Sequence, residues 1–221
     1  MVSKTQNNLM VRSLSAALLI PVVMYVILSS VVIFYASIVL ISLLMGVEWH
    51  GIIKKLKSKS TWSVIALIHI LIFTISFCWL RYQENGQKFL LWLVITTWMA
   101  DTGAFTFGKI IGGPKLAPKI SPFKTWAGLI GAVVFAVVSG TVFYRYLNFG
   151  SGCKFIGATV ALGILAQIGD LFESWIKRKA NIKDSGKAIP GHGGILDRVD
   201  GLVFSAAGAF VLVIFFKEYL F

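Results

Sequence analysis

Long, uninterrupted apolar runs leave this chain of 221 residues few ways to fold. A membrane-spanning helix needs about 20 mostly apolar residues, and qualifying stretches fall near 13–30, 31–49, 63–80, 88–108, 126–147, 155–176 and 200–220. The first two follow one another without a charged linker. They form either a tight hairpin or one long helix, tilted or broken around Pro21, so the count is six or seven. Strands of a lipid-facing barrel would alternate apolar and polar residues, whereas these runs are continuous. In hydrocarbon, backbone N–H and C=O groups must be satisfied within the protein. The predicted fold class is therefore all-α, a polytopic integral membrane helix bundle. Composition agrees, since 57% of residues are hydrophobic and only 14% are charged.

Lys4 and Arg12 precede the first run, as in a signal peptide. The run outlasts the usual apolar core of about 7 to 15 residues and carries no convincing small-x-small cleavage site, so the segment is expected to be retained. Orientation follows from Lys and Arg. Sixteen lie in the N-terminal segment and the loops at 54–59, 109–124 and 177–198, against five elsewhere: Arg81, Lys88, Arg145, Lys154 and Lys217. The positive-inside rule places the sixteen in the cytoplasm, with the chain in the cell membrane, the inner membrane of a Gram-negative cell. Topology and anionic headgroups account for the net charge of +12. No nucleic-acid-binding fold accompanies it, and no nucleic-acid partner is expected. Cys78 and Cys153 show no metal-ligand spacing and read as packing residues, and His69, alone in its span, as a packed neutral histidine. Glu48, with Trp49 and His50, fits an interfacial belt.

All five aspartates lie beyond residue 100: Asp101, Asp170, Asp184, Asp197 and Asp200. Asp101 precedes Lys109 by eight residues and Asp170 precedes Lys177 by seven, both in spans running inward. At about 1.5 Å per residue the two carboxylates lie roughly 10 Å below the same face. A carboxylate in the membrane costs about 2.5 to 3.5 kcal/mol, so two at one depth invite a shared cation or a shared basic partner. Interhelical salt bridges are the plainer reading.

The loop from Ser174 to Asp200 carries the most chemistry. Gly186, Pro190, Gly191, Gly193 and Gly194 let backbone approach a ligand, while Lys177, Arg178, Lys183 and Arg198 supply positive charge. This composition suits a polyphosphate. Asp197 and Asp200, spaced i and i+3, share a face if the last helix begins there, and Mg²⁺ prefers such oxygen ligands together with substrate phosphates.

The segment resembles the signature of the phosphatidate cytidylyltransferases, the CDP-diacylglycerol synthases. Ser174, Lys177, Arg178, Lys183, Asp184, His192, Gly193, Gly194, Asp197, Arg198 and Asp200 occupy every place of that pattern. Asp101-Thr-Gly-Ala-Phe-Thr-Phe-Gly108 is similar to the family's Asp-x-x-Ala-aromatic-x-x-Gly element, and Ser121 to Gly128 to its Ser-Pro-x-Lys-Thr-x-x-Gly stretch. Asp170 stands where the family has an acidic residue. The likeness covers about 90–215, with one departure: Ala127 occupies a position where the family commonly has Glu.

The resemblance implies transfer of a cytidylyl group from CTP to phosphatidate within a single membrane domain, 1–221, whose N-terminal spans occupy 1–85 and whose catalytic part occupies 86–221. It implies Mg²⁺, with room for a second cation, held by Asp170, Asp197 and Asp200, with Asp101 and Asp184 as additional ligands. Lys124, Lys177, Arg178, Lys183 and Arg198 would contact phosphates. Ser121 and Thr125 would offer hydroxyls, Gly193 and Gly194 close backbone approach, and His192 either a phosphate donor or loop order. A CTP-dependent lipid kinase and an ion-coupled transporter are the competing readings. Extensive apolar surface is compatible with a homodimer, which no feature of the sequence demands.

Overall fold

A computed structural model of the chain describes residues 18–146, 148–186, 188 and 193–220. Lys4 and Arg12 lie outside the described residues, as do Lys187, Pro190, Gly191 and His192 of the third basic loop. The order is α1 (Leu18–Leu28), α2 (Val31–Ile53), α3 (Lys59–Tyr82), α4 (Gly86–Ile110), β1 (Lys115–Ala117), β2 (Ser121–Thr125), α5 (Trp126–Tyr146), α6 (Gly152–Lys179) and α7 (Leu196–Leu220). Among the described residues six helices, α2 to α7, are long and apolar enough to cross a membrane, and α1 is shorter. Val32 is 77% and Val47 70% exposed on the bundle's outer surface, an arrangement suited to hydrocarbon.

The helices outrun the apolar stretches that mark them, because hydropathy reports only the part in hydrocarbon. Ladders of N–H to C=O bonds continue into polar residues such as Lys177 to Lys179 and Leu196 to Val199. The interruption between the first two helices falls at Ser29 and Ser30, and Pro21 lies within α1. Ser30 caps α2 through Ile33 N (3.4 Å), while Arg81 Nη2 and Gln87 Nε2 donate to the freed carbonyls of Ser29 (2.7 Å) and Leu28 (3.1 Å). Serine hydroxyls and borrowed donors, rather than proline, end α1.

The 109–124 loop holds a short antiparallel pair, with Lys115 opposite Thr125 and Ala117 opposite Ser121. Three to five residues interrupted by Pro118 and Pro122 give no period-two signal. Gly112 and Gly113, at φ 65° and 90°, turn the chain out of α4.

Glycines set the closest helix contacts. A Cβ at Gly103 would strike the carbonyl of Gly131, and one at Gly131 that of Gly103, so α4 and α5 touch backbone to backbone. A Cβ at Gly169 would strike the Asp200 carbonyl, and Gly201 lies against Ala166, so α6 and α7 do the same. Hydroxyl pairs lock α4 to its neighbours: Thr96 with Ser139 of α5 and Thr97 with Ser205 of α7, both 3.0 Å. His69 is packed as expected, accepting from Trp49 Nε1 (3.3 Å) beside Phe172.

Candidate active site

The charged side chains of α4, α6, α7 and β2 converge at the end of the bundle that carries the basic loops. Lys124 Nζ, at the end of β2, pairs with Asp170 Oδ2 at 2.8 Å and donates to Gln167 Oε1 at 3.0 Å. Gln167 Nε2 in turn donates to Asp101 Oδ1 at 2.9 Å. The two aspartates placed at one depth by counting residues do share a basic partner, one directly and one through an amide. Ser174 Oγ donates to Asp170 Oδ1 at 3.2 Å.

A second group lies across the α6–α7 contact. Lys177 Nζ is 2.6 Å from Asp197 Oδ1 and 3.0 Å from Glu173 Oε1. Asp197 Oδ2 accepts from Ser185 N, Ser185 Oγ and Gly194 N, each at 2.9 Å. Asp200, three residues beyond Asp197 on α7 and so on the shared face their spacing anticipates, accepts from Gly201 N at 2.7 Å. It stands within electrostatic range of Asp170 and Asp101, and Arg198 lies within range of Asp101. The two groups are one charged cluster.

The remaining candidates sit around it. Thr125 Oγ1 is buried and accepts from Gly128 N at 3.0 Å, capping α5, so its hydroxyl is engaged by the fold. Arg178 donates to the Ile120 and Ile182 carbonyls (3.2 and 3.4 Å), tying the hairpin turn to the end of α6. Ser121 opens β2 and is half-buried; Lys183, Asp184 and Arg198 are exposed. His192 lies outside the described residues.

Sequence reasoning passed over two acids. Glu173 is 3% exposed and pairs with Lys177 at 3.0 Å. Its place between Asp170 and Lys177, at spacings of three and four, was a legible signal of a shared helix face. Glu48 of α2 had no such signal. Its Oε1 accepts from Ile195 N (2.8 Å) and its Oε2 from Leu196 N and Ser185 Oγ (both 2.9 Å).

Among the described residues no three acidic, cysteine or histidine side chains close on a single point. Mg²⁺ takes oxygen ligands, commonly one or two carboxylates with substrate phosphates and water completing the shell, and the side chains gathered here offer carboxylate oxygens. Asp101, Asp170, Glu173, Asp197 and Asp200 gather here with Lys124, Lys177 and Arg198, acids and cations interleaved.

A family model described as the cytidylyltransferase family matches residues 55–216. The phosphatidate cytidylyltransferase of Brucella suis biovar 1 (strain 1330) is 40% identical over 163 residues, 73% of this chain and 60% of that protein. The chain thus spans less than two thirds of the Brucella relative's length. The phosphatidate cytidylyltransferases of Rickettsia bellii (strain RML369-C) and Rickettsia prowazekii (strain Madrid E) are 36% and 35% identical. Those alignments cover 92% and 96% of this chain and 90% and 95% of the relatives.

Proposed function

The chain belongs to the cytidylyltransferase family, and from that premise we propose that it transfers the cytidylyl group of CTP to phosphatidate, giving CDP-diacylglycerol and pyrophosphate. A phosphate oxygen of phosphatidate attacks the α-phosphorus of CTP, and the α–β bridging bond breaks with its electron pair leaving on pyrophosphate. A phosphate monoester has a second pKa near 6, so the nucleophile is already largely dianionic and needs no strong base. The task is to bring two polyanions together.

Lys124, Lys177, Arg178, Lys183 and Arg198 contact the phosphates. Asp170, Asp197 and Asp200, with Asp101, would hold Mg²⁺, which would supply neutralisation of phosphate charge. His192 donates to a phosphate or orders the loop. The site opens to the cytoplasm, where CTP is found, and phosphatidate arrives sideways from the leaflet of the cell membrane. One observation carries the reading: acids and cations from the matched signature meet in one cluster at the mouth of a bundle built to lie in lipid.

The test is purified protein in mixed micelles with phosphatidate and CTP labelled at the α-phosphate. Labelled lipid and free pyrophosphate are the expected products. Their absence sinks the proposal, and in a parallel reaction with diacylglycerol and CTP labelled at the γ-phosphate, labelled phosphatidate would identify a CTP-dependent lipid kinase instead.

A further inference from the structure

We propose that Glu48, outside the stretch matched by the family model, is a positioning residue for this reaction, its carboxylate holding the Gly-rich loop and the start of α7 in register with α6. The inference rests on the functional reading above. Glu48 is 9% exposed, and its partners lie far along the chain, 147 residues away at Ile195. Both oxygens are used: Oε1 takes Ile195 N, and Oε2 takes Leu196 N and Ser185 Oγ. Ile195 N and Leu196 N belong to the opening of α7, where backbone donors lack partners within the helix. A carboxylate there also meets the positive end of the helix dipole.

The Ser185 hydroxyl lies within 2.9 Å of Glu48 Oε2 and of Asp197 Oδ2, so it bridges the two acids. This gives the loop glycines a purpose that composition did not disclose. A Cβ on Gly194 would collide with the Glu48 carboxylate, one on Gly186 would come within 2.5 Å of Glu48 Oε1, and one on Gly193 within 2.6 Å of Asp197 Oδ2. The backbone comes close at these glycines, and what it comes close to is a pair of the protein's own carboxylates. Glu48 therefore sets where α7 begins, and Asp197 follows in its first turn with Asp200 three residues further on.

Glu48→Gln keeps shape but turns one acceptor into a donor facing N–H groups. Each hydrogen bond to a charged acceptor is worth about 10 to 100-fold in an equilibrium. Hydrogen exchange by mass spectrometry on the full chain in detergent should show peptides covering 193–197 exchanging at least about 10-fold faster, with α4 to α6 unchanged. Steady-state kinetics should show kcat reduced at least about 10-fold and the KM for phosphatidate within about twofold. Wild-type exchange overturns the clamp, and faster exchange with wild-type kcat overturns the positioning role. Slower turnover with unchanged exchange overturns it too. If Glu48→Gln does not fold, Ser185→Ala, which removes only the bridging hydroxyl, carries both measurements, and wild-type behaviour there refutes the proposal. If the wild-type protein makes no CDP-diacylglycerol, the functional reading fails while the exchange result still judges the clamp.

Discussion

Lys177 is a cation set between two buried acids, and replacing it by methionine measures what that arrangement contributes. Its ammonium is 2.6 Å from Asp197 and 3.0 Å from Glu173, with side-chain exposures of 12% for the lysine, 7% for the aspartate and 4% for the glutamate. Methionine fills the space of the stem and leaves both carboxylates without their counter-charge. Removing one partner of a buried pair costs about 3 to 5 kcal/mol, because the remaining charge stays desolvated. At about 2 to 4 °C per kcal/mol for a chain of this size, the expected fall in Tm is roughly 6 to 20 °C. Tryptophan fluorescence during heating in detergent reads it directly. Lys177→Met with Glu173→Gln should recover at least about half of the loss, since Asp197 keeps Ser185 N, Ser185 Oγ and Gly194 N. A Tm within about 2 °C of wild type for the single variant, or no recovery in the double variant, would refute the reasoning.

Three further outcomes are expected. Gly169→Ala places a methyl against the Asp200 carbonyl; overpacking of about 1 to 3 kcal/mol should lower Tm, and displacement of Asp200 should lower kcat with it. Asp197→Asn should lose both stability and turnover because four donors converge on its carboxylate, whereas Asp200→Asn, with one, should lose turnover while its Tm stays at or above wild type. With Cys78 and Cys153 replaced by serine, membrane-impermeant thiol reagents on intact cells should label Glu84→Cys and leave Lys119→Cys unlabelled until the cells are opened, and the reverse pattern would invert the topology; both positions are exposed.

The spans and the convergence of Asp101 and Asp170 on one basic partner were legible because both depend on local quantities, hydropathy and rise per residue. Six of the spans reappear with ends moved by a few residues. Lys124 was expected to meet phosphate, and its pairing with Asp170 comes from a hairpin whose register no alternation of residue type announces. Glu48 escaped for a different reason. Near a membrane face a glutamate beside tryptophan is ordinary, and only the fold brings α2 under the opening of α7. Gly186, Gly193 and Gly194 are places of close approach, and the fold sets the Glu48 and Asp197 carboxylates against them, since sequence gives steric permission without naming what fills the space.

The length of α6 carries a consequence for where chemistry can happen. Its 28 residues span about 42 Å at 1.5 Å each, against roughly 30 Å of hydrocarbon. Unless strongly tilted, the helix must emerge from the oily layer, and its final turns, from Asp170 to Lys179, then lie in the band of ester and phosphate groups. The proposed acceptor's phosphate lives in that band, so it needs no lifting out of the leaflet to be used. Bilayer thickness therefore becomes a variable of the reaction: a thicker membrane draws the pairs at Asp170 and Lys177 toward hydrocarbon, and a thinner one pushes them into water.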